Sequence, residues 1–421
     1  MSSVQEHCKR VAALAAEIGT LLGLPAESRL LLEQAGLMHH TSLETFRSRG
    51  VDRLIGDVCV ESWHVVGADA GGKGLGRGVG LLGQATDLVR ASHDRERLRD
   101  EKFALLAGIL DAANLFDERL DLLPYDDTTP EQIWREFLAI SRDGFWPHAV
   151  ASAFNRLCLI RDAEARAIAA SLPVFPAAVF KALALAADSN ASMTQLEKLI
   201  SSDQVLAGEL IRAANSALNG RRESISTIRH AAVFLGLEIT RKVIAAAALK
   251  PIVVSAGLAQ LWRHSLEMAA RMEAIAARTG CVPPMEGYLT GLVHDAGRLV
   301  LARAPERAAR IYARLLERQC PPAFAERILT GRDHGEIGAD VLAQWRFPSH
   351  IREAVRHHHR PERSESALAS LLYLADYRSG EDAASGVRLD WAVSRAGMTL
   401  AEVESAQIAP QPVIAGLTQV A

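Results

Sequence analysis

The feature that most restricts this chain is the helical spacing of its apolar residues. In residues 7–22, His7, Val11, Leu14, Ile18 and Leu21 recur every three or four positions, which puts them on one face of a helix. Most later segments show the same period. Ala and Leu dominate while aromatic residues make up only 5%, a composition that favours helices because neither side chain loses much entropy there. The expected fold class is all-α. At 421 residues the chain exceeds one ordinary core, so two or three packed helical domains are expected.

Punctuation along the chain supports this reading. "GLPAES" (23–28) is a helix stop followed by a new start. "GADAGGKGLGRGVGLLG" (67–83) contains GxGxxG as Gly78, Gly80 and Gly83. A dinucleotide fingerprint needs a strand before it, and none is evident, so the stretch reads as a loop. Thr129 with Pro130 marks a helix start, and helical character resumes over about 149–170. Residues 176–250 read as a bundle of short helices, with Ser192 or Thr194 and then Ser202 or Asp203 as N-caps, a stop at Gly220 and a break near Gly236.

Several function classes are disfavoured. The net charge of −3 argues against a general electrostatic grip on nucleic acid. Cys8, Cys59, Cys158, Cys281 and Cys320 form no CxxC pair, and their odd number fits a reducing compartment. The N-terminal residues lack a signal-peptide layout, and the most apolar run, 243–262, carries Lys250 and Pro251 in its middle. A cytoplasmic location without membrane association is expected.

Chemistry is concentrated after residue 260. His264 shares a helical face with Met268, Met272 and Ile275. "GLVHDAGRLVLA" (291–302) sets His294 and Asp295 in an apolar stretch. His334 shares a face with Ile337, Val341 and Trp345; His357, His358 and His359 stand in a row; Asp376 lies on the side of Leu372 and Tyr373. Singly, each has a plain structural explanation as a satisfied core residue, a cap or a solvated helix end. Together they would be costly to bury without partners, and a shared metal would satisfy them. Imidazole and carboxylate donors suit Mn, Fe, Ni or Zn, and an Asp beside a His can bridge two ions, so one or two ions are expected. Two such ions could activate a water against a phosphoester, in which case Asp295 and Arg298 are the candidate catalytic residues, Arg298 as a holder of phosphate.

The order His264, His294-Asp295, His334, His358/His359, Asp376 resembles the H…HD…H…H(H)…D pattern of the HD metal-dependent phosphohydrolase superfamily. More closely, residues 171–380 resemble the HDOD (HD-related output) domain, through "LPVFPAAVFKAL", "LISSDQVLAGELIRAANSALNG", "SISTIRHAAVFLG", "LWRHSLEMA", "GLVHDAGRLVLA", "DHGEIGADVLAQWRFP" and "HHHRP" in that order. The resemblance implies HD-like helical bundles and an output or regulatory role in bacterial signalling. It departs from phosphodiesterases of the HD type at Arg298, where "HDxGK" carries Lys, and in lacking GYP after the His run. Both departures count against phosphodiesterase activity.

A weaker copy stands at the front. "AGLMHHTS" (35–42) aligns with "TGLVHDAG" (290–297), and His7 precedes His39 by 32 residues as His264 precedes His294 by 30. "ILDAANLFDE" (109–118) resembles the closing segment of HD-GYP domains, with Asn114 in the place of the ligand Asp and His40 in the place of the bridging Asp. The expected organisation is therefore a degenerate HD/HD-GYP-like domain at 1–165, inactive and without metal, then an HDOD domain at 166–380 (166–257 and an HD-like part, 258–380), then a tail at 381–421. The expected function is signal-transduction output through a protein partner or a small ligand, homodimerisation being compatible with it. The alternative is a metal-dependent phosphohydrolase acting on a nucleotide or phosphoester.

Overall fold

A computed structural model of the chain describes residues 4–39, 81–93, 101–122, 139, 148–157, 162–172, 177–188, 190–218, 224–255, 258–377, 386–399 and 401–402. Every regular element among these residues is helical, which makes the fold all-α. In chain order the α-helices are α1 (Val4–Leu21), α2 (Ala26–Met38), α3 (Leu81–His93), α4 (Glu101–Leu122), α5 (His148–Leu157), α6 (Asp162–Ser171), α7 (Ala177–Ala187), α8 (Met193–Ser201), α9 (Gln204–Ala217) and α10 (Ile228–Ser255). There follow α11 (Ala259–Thr279), α12 (Pro284–Val293), α13 (Arg298–Leu301), α14 (Glu306–Glu317), α15 (Pro322–Thr330), α16 (His334–Gln344), α17 (Ser349–Arg356), α18 (Ala367–Tyr377) and α19 (Gly386–Ala396).

Local chemistry accounts for several boundaries. Ser192 caps α8 in a reciprocal capping box with Gln195, and Asp203 accepts from the backbone of Val205 and Leu206 to start α9. The expected break near Gly236 is a bend within α10, where Gly236 adopts φ 78° and ψ 169°, a conformation that favours glycine. The Gly-rich stretch lies outside the described residues as far as Gly80, and α3 begins at Leu81 rather than beyond Gly83. Thr129, Pro130 and Gly220 also lie outside them.

The chain forms two compact units, one of residues 1–162 and 304–333, the other of residues 163–303 and 334–421. Residues 304–333, assigned to the second domain on sequence grounds, thus cluster with the first. Ile311, Leu315, Phe324 and Ile328 from α14 and α15 join Leu14, Ile18, Leu110 and Phe116 in that core. A buried charge adds to the attachment. Glu17 is fully buried on α1, and Arg314 holds it through Nη2 at 2.5 Å and Nε at 3.0 Å, with Arg318 at 3.2 Å. A buried carboxylate left without those cations would be costly.

The second unit has its own core, which includes Trp262, Met268, Met272, Tyr288, Val341, Trp345 and Leu372. Ala392, Ala396 and Met398 belong to it as well, so α19 packs into this unit. Lys250, in the apolar run, is buried against Glu209 at 3.2 Å. No helix among the described residues is long and apolar enough to cross a membrane.

Candidate metal centre

Five elements of the second unit converge on one site. The buried face of α11, with Met268, Met272 and Ile275, carries His264 with it. Helix α12 ends at His294, and tight turns follow: the amide of Ala296 donates to the carbonyl of Val293 at 3.0 Å, and that of Arg298 to the carbonyl of Asp295 at 2.9 Å. Those turns present His294 and Asp295 in succession. His334 opens α16, the turn after α17 supplies His358 and His359, and Asp376 sits near the end of α18.

The backbones approach too closely for ordinary side chains. A Cβ on Gly297 would lie 2.0 Å from the His334 carbonyl oxygen and 2.8 Å from the Gly338 nitrogen. One on Gly335 would meet the Val355 carbonyl oxygen at 2.7 Å and the His358 ring at 2.9 Å. Sequence reasoning named the polar residues and missed these glycines. Their signal was present as "HDAG" and "HGEIG", where Gly335 and Gly338 stand one turn apart on α16.

The donors fall into two groups. His264, His294 and Asp376 form one and His334, His358 and His359 the other, with the donor atoms of each lying within 4.8 Å of one another. In the first, His264 Nε2 is 3.1 Å from His294 Nε2 and 3.8 Å from Asp376 Oδ1. In the second, His334 Nε2 and His359 Nε2 are 2.7 Å apart. Asp295 stands between the groups. Its Oδ1 lies 3.4 Å from His294 Nε2 and 3.0 Å from His334 Nε2, and its Oδ2 lies 3.6 Å from His264 Nε2. Arg298 Nε is 3.3 Å from Oδ2. His357, the other member of the His run, faces Glu353 at 3.3 Å instead.

Protonation states follow from burial and charge. Burial lowers His294 to about 4, against the opposing pull of Asp295. Burial, together with His359 and His334, holds His358 well below its ordinary value. Burial alone would push Asp295 up, but Arg298, His294 and His334 outweigh it and hold the carboxyl well below the usual range. The centre thus presents neutral imidazoles at His294 and His358 and a charged carboxylate at Asp295, the forms that ligate metals. Both oxygens of Asp295 and Nε2 of His358 are buried without a well-formed hydrogen bond. Such atoms are costly to leave so, and a cation between the groups would satisfy them. The His clusters can therefore hold a metal.

A family model for the HDOD domain matches residues 172–361. This part of the chain is an HDOD domain. An uncharacterized protein of Treponema pallidum (strain Nichols) is 23% identical over 210 residues, which cover 48% of this chain and 41% of the relative. The match thus spans about two fifths of that curated relative's length. Among solved structures, an HDOD domain protein of unknown function from Geobacter sulfurreducens is 25% identical, covering 62% of this chain and 93% of its own, with a TM-score of 0.48. A proposed phosphohydrolase from Shewanella amazonensis SB2B is 23% identical over 60% of this chain and 97% of its own, with a TM-score of 0.48. A proposed signal transduction protein from Marinobacter aquaeolei VT8 is 21% identical over 67% and 66%, with a TM-score of 0.49.

The first unit contains a geometry parallel to half of the HDOD centre. His7 Nε2 and His39 Nε2 are 3.0 Å apart, with ring centroids at 4.9 Å and planes at 55°. The corresponding centroid distance and angle for His264 and His294 are 5.0 Å and 56°. His39 Nδ1 bonds the Gly36 carbonyl at 2.6 Å, as His294 Nδ1 bonds that of Gly291 at 2.8 Å. Both glycines press on the preceding helix: an added Cβ would meet Ala12 Cα at 2.4 Å in one unit and the Met268 carbonyl oxygen at 2.5 Å in the other. Asn114 Oδ1 completes the trio at 3.0 Å from both imidazoles. His40 lies outside the described residues.

Proposed function

We propose that the chain is a bacterial signal-transduction output protein whose HDOD domain holds divalent transition metal at His264, His294, Asp295, His334, His358, His359 and Asp376, and acts by binding a protein partner or a small ligand. The single observation that carries this reading is the position of Asp295, buried between two three-donor groups with neither oxygen hydrogen-bonded. One carboxylate oxygen within 3.4 Å of a nitrogen from each group suits a bridging role between two ions. Imidazole-rich donors select Mn, Fe, Ni or Zn over Mg or Ca. The site belongs to the cytoplasmic signalling protein expected from the sequence.

A second reading, phosphoester hydrolysis, is favoured by Arg298. Its side chain keeps 22% of its surface exposed while its Nε stands 3.3 Å from Asp295, so it can receive a phosphate at the mouth of the centre. When bound, a metal pair supplies Lewis acidity toward a phosphoryl group. Arg298 would hold and orient that group, and it stays charged, so it cannot donate the proton a leaving group needs.

The test is elemental analysis of chelator-free protein beside Asp295→Ala, with turnover of generic phosphoesters measured on both. Transition metal in the wild type that falls in the variant, without turnover, supports the output reading. Turnover abolished by Asp295→Ala would replace it with the hydrolase reading. A folded wild type whose metal content is insensitive to Asp295→Ala would refute the metal centre in either form.

A further inference from the structure

On the basis of the metal centre proposed above, we infer that Arg327 and Asp333 are positioning residues for the ligand His334, and that through them the first unit governs the affinity of the HDOD centre.

The path of the chain makes the connection. After α13, which begins at Arg298 beside Asp295, the chain leaves the second unit and runs through α14 and α15 of the first. It returns at one peptide bond, from Asp333 to His334. Residues 331–333 alone separate the end of α15 from His334, and each of them is fixed. Gly331 takes φ 79°, and its amide donates to the Arg327 carbonyl at 2.8 Å. The Arg332 amide donates to Thr330 Oγ1 at 3.0 Å, and that hydroxyl donates to the Arg332 carbonyl at 2.6 Å. Asp333 Oδ2 accepts from Arg327 Nε at 3.0 Å and from Nη2 at 2.6 Å. A connector this short and this fully bonded has no slack.

Both charged side chains are buried, at 5% and 3% exposure. Such a pair contributes little net stability, because desolvation offsets the attraction, and what it supplies is a fixed register. That register sets the first residue of α16, which is the ligand itself. From the centre's side, the His334 carbonyl lies against Gly297, and Gly335 lies against the Val355 carbonyl and the His358 ring. His334 is thus pinned by the connector on one side and by close backbone contacts on the other. A displacement of α15 must reach His334 or break the connector's bonds. Helix α15 is itself seated in the first unit's core by Phe324 and Ile328, with the Arg10 guanidinium 4.8 Å from the Phe324 ring. His334 serves only one donor group, with His358 and His359. The pair should therefore act on that group's ion and spare the one at His264, His294 and Asp376.

The experiment titrates the full chain with Co(II), read by visible absorption and equilibrium dialysis, with amide exchange measured alongside. Arg327→Met alone leaves a buried carboxylate uncompensated, so the informative variant is Arg327→Met/Asp333→Asn, which removes both charges and keeps a capping oxygen before α16. It should fold, bind one Co(II) as wild type does and hold the second roughly tenfold more weakly. Phe324→Leu, which thins the packing of α15 and keeps both charges, should weaken the same ion. Two ions held at wild-type affinity by the double variant overturn the positioning role. Equal loss of both ions does so too, since it marks general destabilisation. An unchanged second ion in Phe324→Leu overturns the link to the first unit. In chelator-treated protein the pair is read without metal: exchange at residues 334–338 should quicken in the double variant while α11 and α12 keep wild-type protection. A wild type that binds no Co(II) refutes the metal centre, whereas unchanged exchange at 334–338 refutes the positioning role, so the two fail separately.

Discussion

Gly297→Ala is the sharpest perturbation of the HDOD centre, because it adds one methyl group and removes no ligand. The new Cβ would lie 2.0 Å from the His334 carbonyl oxygen, where ordinary contact begins at 3.4 Å. Both near neighbours are backbone atoms of α16, so no side chain can rotate away. Helix α16 must retreat by roughly 1 Å or more, which places the change among strained small-to-large substitutions, with a cost of about 3 kcal/mol. His334 is the residue displaced, and its Nε2 stands 3.0 Å from Asp295 Oδ1 across that same contact. Ligand sets do not tolerate shifts of that size, so the ions assigned to Asp295 should be lost along with local stability. The assay is hydrogen exchange of peptides covering α13 and α16, which isolates local opening in a chain of two units, together with metal analysis. Gly338→Ala is the graded control, since its Cβ would come no nearer than 3.0 Å to the Gly297 nitrogen, with a Val355 methyl at 3.4 Å and Gly297 Cα at 3.6 Å. If Gly297→Ala kept wild-type protection and full metal content, the close approach of Gly297 to α16 would be wrong, and with it the argument that this contact positions His334.

Two further outcomes follow from the same structure. Gly208 lies exposed inside α9 with nothing within 4 Å of an added Cβ, so Gly208→Ala should stabilise the second unit by about 0.5–1 kcal/mol in urea denaturation. In chelator-treated protein, His294 has a folded-state value of about 4 against 6.5 unfolded. The unfolded chain then binds more protons between those values, so stability is fully present above about 6.5 and declines as pH falls toward 4, by on the order of 3 kcal/mol from this group. A flat stability profile across that window, with His294→Gln behaving like wild type, would contradict the burial assigned to His294.

The part of this protein legible in its sequence is the part that depends on residue type and local period. The face of α11 that buries Met268, Met272 and Ile275 was readable from spacing, and so were the caps at Ser192 and Asp203 and the bend at Gly236. The polar set was readable because histidines and aspartates seldom recur on apolar faces. What escaped is set by tertiary packing. Helices α14 and α15 show an ordinary amphipathic pattern, and nothing local says that Ile311 and Phe324 join the core of Leu14 and Phe116. Gly297 reads as one more small residue in "HDAGR" until the His334 carbonyl is seen against it. In the first unit the replacement of Asp by Asn114 suggested a lost site. Only the folded chain reveals that His7 Nε2, His39 Nε2 and Asn114 Oδ1 lie 3.0 Å from one another.

The orientation of the histidines has a common origin that lies below the level of metal chemistry. A helix ends with carbonyls that have no intrahelical partner. His39, at the end of α2, satisfies one such carbonyl three residues back, at Gly36. His294 does the same at the end of α12, with Gly291. His358 repeats it after α17, with Val355 at 2.6 Å. In each case the bond consumes Nδ1 and leaves Nε2 as the acceptor aimed away from the helix. One local device, a histidine bonded to a terminal carbonyl three residues back, therefore selects the tautomer and directs the ligand atom. It acts through the backbone alone, so it needs no acidic neighbour, and it appears in both units. The shared bond sets the His7–His39 pair of the first unit at 4.9 Å and 55°, close to the 5.0 Å and 56° of His264 and His294.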